Sequence, residues 1–363
     1  MGILAGCETA SYYTQAATGQ LRILAAREPI SDVTAAADTN EKLQKQLRLV
    51  QSIRAYASGE LQLPVGRAYG SYVKLEEEYP LWNVLAAPEF SLSPKRWCYP
   101  FVGCASYRGY FSKASAQAKG NELLAKGYDV YLGPVPAYST LGWFDDPILS
   151  SFVNWSPERL AGLLFHELAH RRVYISGDTQ FNESFATAVS QIALPDWRKR
   201  YGYNGPAANR IAQALAVNHL MLATRKQLET VYKADISDVE KRTRKAATLE
   251  RLRACYRKLS VGWPHPERYR YYIDKTNNAT LALVAEYQSQ VPAFKQLYQQ
   301  SGDWPAFYDA AEKLGKLDKK TRKQRMSALT AAYQDSSRKV TGPSFDSETC
   351  MSAANTPVAT GEN

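Results

Sequence analysis

The residues of this chain best suited to chemistry are His166, Glu167 and His170, in the run His166-Glu167-Leu168-Ala169-His170. On a helix, positions four apart lie one turn from each other on one face. Both imidazoles can then reach one Zn2+, and Glu167 stands where it meets a water at the metal. This HExxH arrangement supplies two neutral ligands and a carboxylate that takes the water's proton. Leu163, Leu164, Phe165 and Leu168 make the helix largely buried, and buried polar groups need partners; a metal is one. A catalytic zinc takes three protein ligands and keeps one position open. Of the four histidines, His219 and His265 are remote from the motif in sequence. Glu183, thirteen residues after His170 and behind the turn Ser176-Gly177-Asp178, is the expected third ligand. Asp178 is the weaker candidate. The metzincin pattern fails, because Val173 and Ser176 occupy the places of its glycine and histidine.

The elements that must hold these residues can be read from local signals. Ser156-Pro157-Glu158 predicts a helix start, with a serine cap, proline at the first helical position and an acid in the first turn; the helix should run to about Arg172. A second should run from Asp178 or Thr179 to about Ala193 and fold back on the first. Upstream, helical periodicity covers Tyr12 to Ala26 and Glu41 to Leu61, the latter capped by Asn40. Leu81 to Leu92 reads as extended, since Pro80, Pro88 and Pro94 forbid a helix there. Lys95 to Phe111 predicts a hairpin, Ser112 to Lys126 a helix, and Tyr128 to Leu132 a strand that Gly133-Pro134-Val135-Pro136 should break. From Ala207 to Leu259 the pattern is helical with a break near Asp235. Helices follow at Asn278 to Gln288, Ala293 to Gln300, Trp304 to Leu314 and Lys319 to Tyr333. The expected class is α+β, mostly α: a zincin-like core with the HExxH helix, a small N-terminal sheet and a helical C-terminal part. The expected organisation is a leader remnant at 1–7, a metallopeptidase domain at 8–341 (sheet and active helices at 80–195, helical part at 206–335), and a flexible tail at 342–363.

Cys98 and Cys104 flank a Pro- and Gly-containing turn and are expected to be bridged; Cys255 with Cys350 is the second pairing open to the chain. No CxxC is present, which argues against a zinc knuckle. Leu4-Ala5-Gly6-Cys7 looks like a bacterial lipobox, whose cysteine becomes the lipidated first residue. Only Met1, Gly2 and Ile3 precede Leu4, fewer than the roughly 7–15 apolar residues of a secretory signal, so residues 1–7 are read as a remnant. Setting Cys7 aside leaves an even number of cysteines, which suits an oxidising compartment. The net charge of +10 comes without any nucleic-acid motif, so no nucleic-acid partner is expected; an anionic lipid or other acidic surface is the better use for it.

Trp82-Asn83-Val84-Leu85-Ala86-Ala87-Pro88-Glu89-Phe90, Tyr138 to Pro147, Phe165 to His170 and Phe181 to Thr187 together resemble a bacterial lipoprotein family labelled "predicted aminopeptidase". The likeness extends to Asn277-Asn278-Ala279, Val291-Pro292-Ala293-Phe294 and Asp303-Trp304, covering about residues 7 to 315. It implies a gluzincin-like zinc peptidase acting on peptide or protein substrates, a membrane anchor on Cys7 and an envelope, periplasm-facing location. In that chemistry Glu167 is the general base. Tyr138 is the first choice for an oxyanion donor, with Tyr271 and His265 as alternates. A free substrate α-ammonium calls for a carboxylate, for which Glu89, Asp145 and Asp146 are candidates; Asn277 and Asn278 are candidates for substrate backbone. The rival readings are a non-catalytic envelope lipoprotein that binds a partner, and a zinc endopeptidase or amidase.

Overall fold

The computed structural model describes residues 2–99, 103–137, 144–203, 207–338 and 345–352. The chain opens with α1 (Gly2–Ala25), β1 (Glu28–Pro29), α2 (Ile30–Ala35) and α3 (Glu41–Gly59). A strand-rich stretch follows: β2 (Ser71–Val73), β3 (Leu81–Pro88), β4 (Trp97–Tyr99), β5 (Gly103–Ala105), β6 (Tyr107–Tyr110), then α4 (Lys113–Ala125), β7 (Tyr128–Val135) and β8 (Ile148–Leu149). The motif pair is α5 (Pro157–His170) and α6 (Thr179–Tyr201). The remainder is α7 (Ala207–Lys233), α8 (Asp238–Leu259), α9 (Glu267–Asp274), α10 (Asn278–Gln288), α11 (Val291–Ser301), α12 (Trp304–Lys316), α13 (Lys319–Arg338) and α14 (Ser347–Ser352). The class is α+β and mostly α, as the sequence predicts.

The sheet that matters for the site has the order β6-β3-β7, all antiparallel, with Val84 opposite Leu132 and Leu85 opposite Tyr131. Side chains alternate across it. Val84 and Ala86 with Val130 and Leu132 pack against Ala116 and Leu123 of α4; Asn83, Leu85, Tyr131 and Gly133 point to the opposite face. Two smaller pairings complete the strand content among the described residues. β1 and β8 flank β2, and β4 pairs with β5 with Cys98 opposite Cys104, joined by a disulfide.

One apolar cluster holds the motif helices in place. It joins Leu47, Val50 and Ile53 of α3, Leu160, Leu164, Phe165 and Leu168 of α5, Phe181, Phe185 and Val189 of α6, and Phe294, Phe307 and Tyr308 of α11 and α12. A second cluster joins α7 to α10 through Leu220, Leu252, Ile273 and Leu281, and includes Met351 of α14.

Several sequence expectations need correction. Gly133-Pro134 does not break β7, which runs on to Val135 with Trp82 opposite Pro134. Among the described residues β7 is an edge strand, where a proline costs no ladder hydrogen bond. α6 continues past Ala193 and through Pro195, because Leu194 and Trp197 bury on the same face; it stops at Gly202, whose φ of 72° is the left-handed turn that ends helices. Ser156 occupies the cap position of α5, but its side chain makes no capping hydrogen bond. Within the tail, α14 is tied to α8 by a Cys255–Cys350 disulfide, the pairing the sequence left open.

Candidate metal centre

α5 and α6 run antiparallel, which is what brings a glutamate of one beside two histidines of the other. Their contact is tight at Gly162, whose carbonyl accepts from Ser190 Oγ at 2.8 Å. A Cβ there would stand 3.2 Å from both Leu194 and Ser190. The turn between the helices is clamped at two points by Asn182: its Oδ1 accepts from Ile175 N and its Nδ2 donates to Ile175 O, both at 2.8 Å. Gly177, at φ 76°, supplies the left-handed residue the turn requires. Asp178 caps α6 by accepting from Phe181 N and pairs with Arg322 at 2.8 Å. It is thus a cap and an ion-pair partner, outside the ligand cluster.

This scaffold converges three donor atoms. His166 Nε2 lies 3.1 Å from Glu183 Oε2, His170 Nε2 lies 3.2 Å from His166 Nε2, and His170 Nε2 lies 3.6 Å from Glu183 Oε2. Three donors each about 2.0–2.1 Å from a tetrahedral zinc would stand roughly 3.3 Å from one another, so the triangle has the size of a zinc-ligand face. His166, His170 and Glu183 are also the one group of three metal-ligating side chains so clustered among the described residues. The rings are edge to face, 4.8 Å between centroids, so each presents its own nitrogen to the centre of the triangle. His170 Nδ1 is buried without a hydrogen-bond partner, so packing and its Nε2 contacts fix that ring.

The electrostatics agree with the geometry. Burial works against ionised Glu183, but His170 and His166 outweigh it and hold the carboxyl well below the usual range. Burial likewise opposes protonated His170, and Glu183 and Glu167 outweigh it, raising its pKa. Glu167 is raised, first by burial, with Glu183 and Asp146 adding to the effect against the two histidines. Among the described residues no side chain hydrogen-bonds to the Glu167 carboxylate. His166 and Glu167 together line a cleft of about 610 Å3. Its walls are Asn83, Leu85, Tyr131 and residues 133–137 from the sheet side, Thr187 and Gln191 of α6, and Leu283, Tyr287 and Gln288 of α10.

A family model described as "Putative aminopeptidase" matches residues 11–326. The chain belongs to that family. No curated protein and no solved structure matches it. The family assignment agrees with the resemblance read from the sequence and covers the whole ligand cluster and cleft.

Within this aminopeptidase-family chain, the other site residues expected from sequence are placed elsewhere. Glu89 is held by Arg242 through two bonds of 2.7 and 2.9 Å, at the far end of β3. Asp145 pairs with Arg67 at 2.9 Å, and the Asp146 carbonyl accepts from Tyr69 N. Asn277 closes a capping box on α10 and donates to Val130 O. Asn278 donates to Pro88 O and Glu89 O and accepts from Tyr232. None of these lines the cleft: the side chains of Glu89, Asp145, Asn277 and Asn278 are spent on caps, ion pairs and strand ends, while buried Asp146 stands close enough to Glu167 to raise its pKa. Tyr138 lies outside the described residues. Tyr271 is 76% exposed, His265 pairs with Glu267 at the surface, and neither is among the residues lining the cleft. Cys7 falls within α1, and its side chain lies outside the described part.

Sequence reasoning missed Tyr287. Its ring stacks on His166, 5.8 Å between centroids and 14° between planes, and it lines the cleft. Burial and then Glu183 push its hydroxyl well above the ordinary tyrosine range, so it stays protonated and able to donate. The available signal was helical spacing, since Leu283, Val284 and Tyr287 share a stripe; nothing local says that this stripe meets the motif helix. Glu286 was also missed. It is buried, accepts from Ser106 Oγ at 2.7 Å, and burial pushes it up to about 7.

Proposed function

We propose that this protein is a zinc-dependent aminopeptidase of gluzincin type, with His166, His170 and Glu183 as ligands and Glu167 as general base. The observation that carries the reading is the triangle of donor atoms at 3.1, 3.2 and 3.6 Å beside a carboxylate that faces a cleft. Zinc, when bound, supplies Lewis acidity toward a water and the scissile carbonyl. Glu167 takes the proton of the attacking water and passes it to the leaving amine. Tyr287 is positioned beside His166 to donate a hydrogen bond to the developing oxyanion. The edge of β7 offers backbone groups to an extended peptide, and Gly133 leaves its own side-chain space to the Tyr131 ring. A purely binding role has no use for Glu167.

The envelope location and the anchor on Cys7 belong to the same proposal. They are supported by the Leu4-Ala5-Gly6-Cys7 motif and by two disulfides, which persist in oxidising compartments.

An endopeptidase reading of the same centre is favoured by one observation: among the described residues that line the cleft, Glu167 is the single carboxylate, so no second acid is there to hold a substrate ammonium. Peptides with free and acetylated N-termini separate the two, since an aminopeptidase cleaves only the free form. The zinc proposal itself is tested by elemental analysis. About one zinc per chain, lost in His166→Ala, supports it; a zinc-supplied protein that retains no metal removes it.

A further inference from the structure

A second cavity of about 1020 Å3 opens off the cleft and shares Arg159, Gly162, Ser190 and Gln191 with it. Its wall carries Arg159, Arg198, Arg210, Arg268 and Lys295 against a single acid, Glu158. That is five cations to one anion, whereas the whole chain has 45 to 35, so the imbalance is local. We propose that this cavity receives the downstream part of the peptide substrate and selects peptides that carry carboxylates there. The proposal rests on the peptidase reading, in which an aminopeptidase leaves nearly all of its substrate on the C-terminal side of the cut.

The layout follows from the two antiparallel helices. On α5, Arg159, Gly162 and His166 are spaced by three and four residues and share one face. On α6, Glu183, Thr187, Gln191, Leu194 and Arg198 do the same. The floor of the trough therefore runs without interruption from the ligand cluster toward the start of α5 and the end of α6. Arg159 is seven residues before His166, about 10 Å along the helix axis. At about 3.3 Å per extended residue, the basic wall begins about three residues beyond the scissile bond.

Three of the cations, Arg159, Arg210 and Lys295, have no acidic partner among the described residues. Lys295 is partly buried, and that burial pushes its ammonium pKa down. The Arg159 guanidinium lies over the Trp155 ring at 3.3 Å from its centroid, and Arg198 Nε is turned to the Tyr203 carbonyl. A carboxylate entering here meets guanidinium forks suited to bidentate contact, with Arg159, Arg210 and Arg268 exposed and Arg198 and Lys295 half-buried. Two sources supply the same chemistry: acidic side chains at downstream positions, or the free C-terminal carboxylate of a short peptide.

Three pentapeptides distinguish them: Leu-Ala-Ala-Glu-Glu amide, Leu-Ala-Ala-Gln-Gln amide, and Leu-Ala-Ala-Gln-Gln with a free C-terminus. Affinity is read by calorimetry on zinc-loaded Glu167→Gln protein, and kcat/KM on zinc-loaded wild type. The expected result is a preference of about two- to fivefold per carboxylate for a charged peptide over the neutral amide. The preference should collapse toward one in Lys295→Met/Arg210→Gln and shrink in wild type as salt is raised. A preference for Glu-Glu amide assigns the cavity to acidic side chains; a preference confined to the free C-terminus assigns it to the terminal carboxylate. Equal affinity for all three, or a preference unchanged in the double variant and at high salt, overturns the proposal. If all three peptides are cleaved at equal rates, the cavity proposal fails and the peptidase stands. If charged peptides bind preferentially and none is cleaved, the cavity stands as an acidic-peptide site and the peptidase reading fails.

Discussion

Zinc should raise the thermal stability of this protein by an amount that can be worked out. The three donors already stand 3.1, 3.2 and 3.6 Å apart, so binding demands little rearrangement. With free zinc a thousandfold above Kd, linkage contributes about 4 kcal/mol to the folded state. Unfolding entropy of about 2.1 cal/mol/K per residue amounts to about 0.76 kcal/mol/K for the whole chain, so the expected rise in Tm is roughly 5 °C. Its pH dependence has a definite sign. In the metal-free protein His170 has a raised pKa, because Glu183 and Glu167 outweigh burial; that contribution is present below the unfolded value near 6.5 and lost as pH rises through the folded one. Glu183 has a lowered pKa; its contribution is present above about 4.5 and lost as pH falls. Zinc competes with the His170 proton, so the zinc-induced shift should grow from pH 6 to pH 8. Scanning calorimetry of chelator-treated protein, with and without zinc at each pH, measures this. Glu183→Gln removes a ligand with little change of shape and should abolish most of the shift. A shift of equal size in that variant, or none in wild type, would refute the reasoning.

Three further outcomes are expected. Glu286 is raised to about 7 by burial, so its neutral form is favoured by folding. Stability should be highest below the unfolded value near 4.5 and fall by about 3 kcal/mol as pH rises through 7. Glu286→Gln should flatten that slope in urea titrations of metal-free protein; an unchanged slope would sink the assignment. Cys255–Cys350 closes a separation of 95 residues, for which chain entropy gives a stabilisation of up to about 5 kcal/mol. Reduction or Cys350→Ser should lower the denaturation midpoint and open α14 to proteases, whereas an unshifted midpoint would contradict it. Gly162→Val adds atoms where a Cβ alone would stand 3.2 Å from Leu194 and Ser190. It should cost about 1–3 kcal/mol and weaken zinc affinity by parting α5 from α6; zinc affinity at the wild-type level would show that their spacing does not set the site.

The part of the site legible in sequence is the part fixed by helical spacing. His166, Glu167 and His170 needed only one helix turn, and Glu183 only a Gly turn and a return helix. The expected substrate groups stand away from the cleft for a common reason. Glu89, Asn277 and Asn278 are polar residues near chain breaks, and only the tertiary structure shows that Arg242, Val130 and the Pro88 carbonyl satisfy them. Tyr287 and the basic second cavity depend on which helix faces meet, and no local pattern carries that. In the fold, α9 escaped notice because Glu267 to Asp274 alternates charge and aromatic residues after two prolines. The strands β1, β2 and β8 were missed because two or three residues are too few to show a period.

The central claim is that Glu167 works as the base beside a three-ligand zinc site. Its most direct test compares zinc content and hydrolysis of a free N-terminal peptide in wild type and Glu167→Gln. The account predicts equal zinc in both proteins and a rate lower by about a hundredfold to ten-thousandfold in the variant. A zinc-loaded Glu167→Gln protein that cleaves the peptide at the wild-type rate would contradict it.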